Sequence, residues 1–204
     1  MEKTEQEAFW EGSFGNEYTL RNDADRFLSG NIALFSKILG RTQNVRSILE
    51  LGANRGLNLI ALNQLLPSAE LSAVEINQQA SEELRKWGKT KVYRESILEF
   101  AADYPRDLVL IKGVLIHINP DRLPDVYRKM AEAAKRYVVV AEYYNPSPVA
   151  IPYRGHDGKL FKRDFAGEML DMFRELRLVD YGFCYHRDPN FPQDDITWFL
   201  MEKT

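Results

Sequence analysis

A short apolar strand that turns through two glycines into a helix constrains this chain more than any other feature. The strand is predicted from Ser47 to Leu51, the turn contains Gly52 and Gly56, and helical character follows at 57–62. Because glycine lacks a Cβ, a ligand can approach the main chain and the helix can start close to the strand. The first N–H groups of the helix have no backbone partner and face that ligand. The pattern predicts a binding site at the carboxyl end of the strand.

Two carboxylates stand at the ends of neighbouring predicted strands. Glu50 lies near the carboxyl end of the first strand, and Glu75 closes a second short strand at 71–74. Open α/β sheets bind their ligands at the carboxyl ends of their strands. A carboxylate at Glu75 suits a bidentate grip on the two hydroxyls of a ribose. Together these residues predict a nucleoside site.

The spacing of the turn residues indicates which nucleoside is bound. The dinucleotide fingerprint is Gly-x-Gly-x-x-Gly, whereas this chain has acid-x-Gly-x-Asn-x-Gly beginning at Glu50. This pattern resembles motif I of the class I S-adenosylmethionine (SAM)-dependent methyltransferases. The resemblance implies that Glu50 faces the amino end of the methionine moiety and that Glu75 holds the ribose. Asn54 replaces the middle glycine, and Asn tolerates left-handed backbone angles better than most residues.

Strand and helix patterns alternate regularly from residue 45 onward. The predicted strands are 46–51, 71–75, 91–95, 107–113 and 137–142, and the helices between them are 56–66, 78–88, 97–102 and 121–135. A helix at 162–176 and two strand-like runs at 177–186 and 194–201, forming a hairpin, complete the chain. Crossovers between parallel strands are nearly always right-handed. We therefore predict an α/β, Rossmann-like doubly wound sheet of seven strands, mostly parallel, with an antiparallel C-terminal hairpin strand.

Length and charge narrow the class of protein. The 204 residues are the size of one domain, which we divide into an N-terminal helical lid at 1–44 and a SAM-binding part at 45–204. A formal net charge of −3 gives no electrostatic case for nucleic acid or a membrane, so we predict a small-molecule substrate and leave the oligomeric state open. Cys184 is the only cysteine and the N-terminus is polar, which predicts a cytoplasmic protein.

Aromatic residues in the N-terminal segment are candidates for the lid over the cofactor. Trp10, Phe14 and Tyr18 offer faces that attract the cationic sulfonium of SAM. The alternative is that these rings only seal the edge of the core. The residues assigned to the cofactor are Trp10, Tyr18, Arg21, Glu50, Gly52, Ala53, Asn54, Gly56, Glu75, Ile76, Ser96, Ile97, Lys112, Gly113 and His117.

Polar residues also follow the third and fourth predicted strands. By the same resemblance, Ser96 and Ile97 meet the adenine, and Lys112 with Gly113 forms a backbone shelf under the methionine end. His117 is a candidate general base, because its ordinary pKa lies near neutral pH. The alternative is that His117 only packs beside the cofactor.

A long loop after the fifth strand is the candidate acceptor side, because loops at this end of a sheet commonly carry function. Its charged donors suit a carboxylate, a phosphate or a sugar. The alternative is that Asp157 and Asp164 balance those charges internally. The candidate substrate-binding residues are Tyr144, Asn145, Tyr153, Arg154, His156, Lys162 and Arg163. The candidate catalytic residues are His117, Tyr144, Asn145 and His156.

Several motifs together resemble the pseudaminic acid biosynthesis-associated methylases. The resemblance covers nearly the full length and implies a SAM-dependent enzyme linked to nonulosonic acid sugar pathways. The motifs are Phe9-Trp10-x-Gly12-x-Phe14-Gly15-x-x-Tyr18-x-x-Arg21-Asn22, the glycine turn from Glu50 to Gly56, Tyr143-Tyr144-Asn145-Pro146, Tyr153-Arg154-Gly155-His156 and Phe161-Lys162-Arg163-Asp164-Phe165.

Three functions are compatible with this pattern. The first is transfer of the SAM methyl group to a small polar acceptor, with a sugar-derived acceptor as the specific expectation. The second is intramolecular cyclisation of SAM to azetidine-2-carboxylate with release of methylthioadenosine, which an aromatic cage without room for an acceptor would favour. The third is a non-catalytic SAM-binding subunit. No group of His, Cys and carboxylate residues has metal-ligand spacing, so no metal is predicted.

Overall fold

The structure is a computed structural model that describes residues 3–21 and 24–204. Short 3₁₀ turns lie at Leu115–His117 and Pro120–Arg122. The helices are α1 Glu5–Glu11, α2 Ser13–Arg21, α3 Ala24–Leu39, α4 Leu57–Leu65, α5 Gln78–Trp87, α6 Leu123–Ala133 and α7 Phe165–Met172. The strands are β1 Ser47–Leu51, β2 Glu70–Val74, β3 Lys91–Tyr93, β4 Arg106–Lys112, β5 Ala134–Glu142, β6 Val149–Tyr153, β7 His156–Lys162, β8 Leu176–Cys184 and β9 Ile196–Lys203.

A seven-stranded sheet with the order β3-β2-β1-β4-β5-β9-β8 forms the centre of the molecule. Strands β1 to β5 pair in parallel, and β9 pairs antiparallel with both β5 and β8. The predicted doubly wound sheet with an antiparallel C-terminal hairpin is therefore confirmed. The strand order reverses between β1 and β4, which opens a crevice at the carboxyl ends of these strands.

Helices cover both faces of the sheet, which explains why its central strands are almost wholly apolar. One face packs against α3 and α4, through Phe35 and Leu62 among others. The opposite face packs against α6 and α7, through Met130 and Phe165 among others. None of the described helices is long and apolar enough to cross a membrane.

Two local predictions were wrong. The expected helix at 97–102 is a single turn, in which the Ser96 hydroxyl accepts the N–H of Leu98 and the Ser96 carbonyl accepts those of Glu99 and Phe100. The expected helix at 162–176 spans only Phe165–Met172, because the Asp164 side chain caps its start. Lys162 ends β7 and Leu176 begins β8.

The acceptor loop also contains structure that the sequence did not predict. Residues 149–162 form a two-stranded hairpin of β6 and β7. Arg154 and Gly155 connect the strands with φ values of 50° and 84°. Two consecutive residues with positive φ are typical of the tight turn that joins antiparallel strands. Arg154 is a rare residue at such a position, and this is why the pattern gave no hairpin signal.

The packing of Gly56 generates a stability prediction. Gly56 has φ 78°, and a Cβ there would lie 2.4 Å from Cδ2 of Leu84 on α5. We expect Gly56→Ala to lower the free energy of unfolding by about 2–4 kcal/mol, since left-handed strain adds to overpacking. Urea denaturation measures the change.

Gly88 provides the matched control for this prediction. Its φ is 74°, but the nearest atom to an added Cβ is 3.9 Å away. Gly88→Ala therefore carries only the left-handed strain, at about 1–2 kcal/mol. Equal losses in the two variants would contradict the proposed contact between position 56 and α5.

Candidate active site

A cavity of about 230 Å³ lies at the carboxyl ends of the parallel strands, beneath the N-terminal helices. The residues assigned from sequence that line it are Trp10, Tyr18, Gly52, Ala53, Asn54, Glu75, Ile76, Ser96, Ile97, Lys112, Gly113, His117 and Tyr153. The structure also contributes lining residues that the sequence analysis missed, among them Phe27, Asn31, Asn58, Asn77, Tyr143 and Asp194. Asn58, Asn77 and Tyr143 neighbour motifs found in the sequence, whereas Phe27, Asn31 and Asp194 come from parts of the chain in which no local pattern indicated a site.

The turn between β1 and α4 has the predicted left-handed geometry. Gly52, Asn54 and Gly56 have φ values of 75°, 47° and 78°. Asn54 thus takes the conformation that its residue type tolerates. Gly52 has a second reason to lack a side chain, because a Cβ there would lie 2.6 Å from Cγ2 of Val114.

Both carboxylate oxygens of Glu75 accept hydrogen bonds from backbone N–H groups. Oε2 accepts the N–H of Asn54 and Oε1 accepts the N–H of Asn77, each at 2.7 Å. Burial raises the pKa of this carboxyl, and the backbone hydrogen bonds oppose the shift. Each oxygen keeps a second lone pair. Glu75 is therefore a rigid acceptor in the cavity wall.

Glu50 is wholly buried behind the lining residue Asn58. Its Oε1 accepts the Asn58 amide at 2.5 Å, and its Oε2 has no hydrogen-bond partner among the described residues. Burial raises the pKa of Glu50 to about 8. A buried carboxyl with an unsatisfied oxygen is suited to receive a cationic group.

Glu142, at the end of β5, supports the turn that contains His117. Its Oε1 accepts the N–H groups of Val114 and Leu115 at 2.9 Å, and its Oε2 has no partner among the described residues. Burial raises the pKa of Glu142 to about 7. Glu142 is thus a third carboxylate near the carboxyl end of a strand, besides Glu50 and Glu75, and no role in the site was predicted for it.

His117 is buried in the cavity wall with a defined tautomer. Its Nδ1 lies 2.6 Å from the carbonyl oxygen of Lys159. A carbonyl only accepts hydrogen bonds, so in the neutral ring Nδ1 carries the hydrogen and Nε2 keeps a lone pair. Burial lowers the pKa of His117 to about 4. The ring is therefore neutral at pH 7 and able to accept a hydrogen bond.

The N-terminal helices close over the cavity through polar contacts. The Ser96 hydroxyl donates to Glu7, and the Gln6 amide donates to the carbonyl of Gly158 at 3.1 Å. Lys159 forms an ion pair with Glu5 at 2.5 Å. Helix α1 is thus tied both to the turn after β3 and to the β6–β7 hairpin.

Aromatic rings of the lid pack against one another and against the site. Trp10 lies edge-on to Phe14 and Tyr18, with centroid distances of 5.4 and 5.3 Å, and 4.6 Å from the His117 ring. Trp10 and Tyr18 line the cavity, whereas Phe14 stacks on Phe9 outside it. The contact of Trp10 and Tyr18 with a sulfonium stays a prediction. The side chain of Arg21 lies outside the part of the chain whose side chains are described.

The remaining residues assigned to the acceptor loop lie outside the cavity lining. Tyr144 is 42% exposed and packs near Phe199. Arg154 and His156 are exposed beside the hairpin turn. The Asn145 amide donates to Ser147, Lys162 lies over the Tyr143 ring at 5.0 Å, and Arg163 pairs with Glu168 at 2.5 Å. Their roles in binding or catalysis stay predictions. Within residues 3–21 and 24–204, no group of three or more His, Cys, Asp and Glu side chains is placed to hold a metal.

No protein-family model and no curated protein sequence matches this chain. Solved structures match its fold, and several are methyltransferases. The magnesium protoporphyrin IX methyltransferase ChlM of Synechocystis PCC 6803, with bound SAM, aligns over 100% of both chains with a TM-score of 0.67 and 12% identity. The 1,6-didemethyltoxoflavin-N1-methyltransferase of Burkholderia thailandensis, with bound S-adenosylhomocysteine, aligns over 93% of this chain and 82% of its own, at TM-score 0.67 and 14% identity.

The mitomycin 7-O-methyltransferase MmcR has a TM-score of 0.68 and 15% identity. The match covers 94% of this chain and 57% of MmcR, so this chain spans little more than half of that protein. At these identities the likeness is one of fold. The architecture is the Rossmann-like fold of the class I methyltransferases.

The burial of His117 generates a prediction about pH. The folded ring binds a proton only below about pH 4, whereas an ordinary histidine does so near 6.5. Between the ordinary histidine pKa of 6.5 and about pH 4, this residue therefore binds more protons in the unfolded chain than in the folded chain. As the pH falls through this range, His117 lowers the free energy of unfolding by up to about 1.4 kcal/mol per pH unit. Urea denaturation between pH 7 and pH 5 measures the effect.

Other groups titrate in the same range, so the informative quantity is the difference in stability between wild type and His117→Gln. Glutamine can donate to the Lys159 carbonyl but does not titrate. We expect wild type to lose stability relative to the variant as the pH falls. A difference that stays constant from pH 7 to pH 5 would contradict the lowered pKa.

Proposed function

We propose that this protein is a SAM-dependent methyltransferase that acts on a small polar acceptor. The observation that carries the proposal is the Glu75 carboxylate, which two backbone N–H groups hold in the wall of the cavity. Its remaining lone pairs suit the two hydroxyls of a ribose, which are donors at fixed spacing. The fold supports the same proposal, because ChlM is a methyltransferase whose structure contains SAM.

Other residues around the cavity fit the remaining parts of SAM. The unsatisfied Oε2 of Glu50 is suited to the α-ammonium group of the methionine moiety. We assign the adenine to the part of the cavity near Ser96 and Ile97. We assign backbone contacts with the cofactor to the β1–α4 turn and to Lys112 with Gly113. Trp10 and Tyr18 line the cavity, and aromatic rings suit a sulfonium.

The proposed mechanism relies mainly on positioning. Bound SAM would supply a methyl group that its sulfonium already activates. The chain's task is then to hold the nucleophile of the acceptor in line with the S–CH₃ bond and to exclude water. His117 is suited to this task, because its Nε2 accepts a hydrogen bond from an acceptor O–H or N–H. Its pKa of about 4 makes it a positioning group and a weak base.

We also propose that the acceptor is sugar-derived and that the chain is related to the pseudaminic acid biosynthesis-associated methylases. The motif resemblance supports this, and so does the β6–β7 hairpin, which places Tyr153 in the cavity wall. The hydroxyl of Tyr153 suits a sugar hydroxyl. In this proposal Arg154 and His156 reach the outer end of the acceptor.

Cofactor binding tests the assignment of Glu75. We expect Glu75→Ala to weaken SAM binding about 30- to 100-fold, since two charge-assisted hydrogen bonds to the ribose are lost. Isothermal titration calorimetry measures the affinity. Because Glu75 also accepts two backbone N–H groups, the melting temperature is recorded in parallel. Glu83→Ala, on the exposed side of α5, is the matched control. Unchanged SAM affinity in a folded Glu75→Ala protein would refute the ribose assignment.

Product analysis tests the reaction itself. The purified protein is incubated with SAM, with and without a mixture of candidate acceptors, and the products are followed by mass spectrometry. We expect S-adenosylhomocysteine only when an acceptor is present. Methylthioadenosine formed with SAM alone would mean that the aminobutyl group had reacted, and methyl transfer would be refuted. SAM binding without turnover under every condition would favour a non-catalytic subunit.

A further inference from the structure

Exposed aromatic side chains are concentrated at one edge of the sheet. Strand β8 is the last strand of the seven, and its outer edge pairs with no described strand. Four aromatic residues on β8 or beside it are between 42% and 64% exposed, and we call them the β8 surface: Tyr144, Tyr181, Phe183 and Tyr185. They lie outside the cavity lining. Exposed apolar side chains that lie together mark an interaction surface.

The four rings form one patch on a single face of the sheet. Tyr181 is opposite Phe199 of β9, and the centroids of these rings are 6.3 Å apart. The Tyr144 ring lies 6.0 Å from the same Phe199 ring. Phe183 follows Tyr181 by two residues, on the same face of the strand, and lies 6.2 Å from Tyr185. The β8 surface is therefore continuous along the edge.

The edge of β8 lacks the features that usually prevent a strand from pairing with another chain. Exposed edges are commonly protected by charged residues, proline or a bulge. The run 181–185 contains no charged residue and no proline, and the register shift of β8 lies before it, between Leu178 and Asp180. Asp180 and Arg187 place charges outside this run. An apolar centre with a charged rim is the usual composition of a protein interface.

The residue order of this run suits a second copy of the same strand. Two tyrosines, Tyr181 and Tyr185, stand equally far from the central Phe183. Antiparallel pairing about a two-fold axis at Phe183 brings this ring against its own mate and each Tyr181 against Tyr185 of the second copy. Cross-strand aromatic pairs of this kind stabilise a sheet. The opposite face then pairs Gly182 with Cys184, which are both small.

The size of the β8 surface also fits a dimer. A fully buried aromatic side chain removes about 150–250 Å² from water, so four half-exposed rings offer about 400 Å² per copy. A stable interface buries about 800 Å² per partner, and somewhat more than half of that area is apolar. The four rings thus supply most of the apolar area that such an interface needs.

We infer that this protein forms a two-fold symmetric dimer in which β8 pairs antiparallel with β8 of a second copy, with Phe183 at the axis. The backbone N–H and C=O groups along the outer edge of β8 then gain partners. The two sheets join into one sheet of fourteen strands, twice the seven of a single copy.

Sedimentation velocity of the full chain tests the dimer. At about 100 μM we expect wild type to sediment with twice the mass of one chain. Phe183→Asp places two carboxylates opposite each other at the axis, and we expect it to raise the dissociation constant about 100-fold or more. Val149→Asp is the matched control, because Val149 is 41% exposed on β6, and it should leave the dimer unchanged. Melting temperatures show that each variant is folded.

A disulfide cross-link tests the register separately. In a Cys184→Ser background, Phe183→Cys brings two thiols together across the axis, because opposite Cα atoms of antiparallel strands lie about 4.5–5.5 Å apart. We expect mild oxidation to produce a covalent dimer. Leu178→Cys in the same background is the control, since five residues separate it from the axis and its mate lies about 30 Å away.

Three outcomes would overturn the inference. The first is a monomeric wild type over the whole concentration range. The second is a folded Phe183→Asp protein that still forms a dimer, because the interface would then lie elsewhere. The third is equal cross-linking of Leu178→Cys and Phe183→Cys, which would exclude an axis at Phe183.

Discussion

The two backbone hydrogen bonds to Glu75 connect the parts of the site. They tie the end of β2 to the β1–α4 turn through Asn54 and to the start of α5 through Asn77. The Asn77 side chain in turn caps α5 and donates to the carbonyl of Trp10 and to Asn16. One buried carboxylate therefore fixes the β1–α4 turn and the start of α5, and through Asn77 it supports the N-terminal helices. Because a buried carboxylate is stable only when its oxygens are satisfied, this geometry is strongly determined.

The sequence predicted the sheet because its signals were local. Apolar runs, the glycine turn and the acids at strand ends each follow from neighbouring residues. Asn54 and Glu75 line the cavity, whereas Glu50 is buried behind its wall. The β6–β7 hairpin was missed because Arg154 at a left-handed position gives no recognisable turn signal. Asn31 and Asp194 were missed for another reason. They reach the cavity only through long-range packing, which composition and periodicity do not encode.

Residues near the cavity also hold helix α1 in place. Ser96, the candidate partner of the adenine, donates its hydroxyl to Glu7 of α1. Lys159 pairs with Glu5 through its side chain and faces His117 Nδ1 with its carbonyl. The docking of α1 therefore depends on residues that also contribute to the site. A ligand that strengthens these contacts stabilises the docked position of α1. By reciprocity, docking of α1 strengthens the binding of that ligand by the same free energy.

Burial of the Glu50 carboxyl has a consequence for the energetics of binding. With a pKa of about 8, the free protein carries a proton on this group near neutrality. In the proposed complex, the ammonium of SAM pairs with Glu50 and displaces that proton into solvent. Ligand binding is then a proton-exchange reaction, its affinity rises with pH up to about 8, and the heat of association includes the ionisation of the buffer. If SAM pairs with Glu50 as proposed, a single enclosed carboxyl makes its affinity depend on the proton activity of the solution.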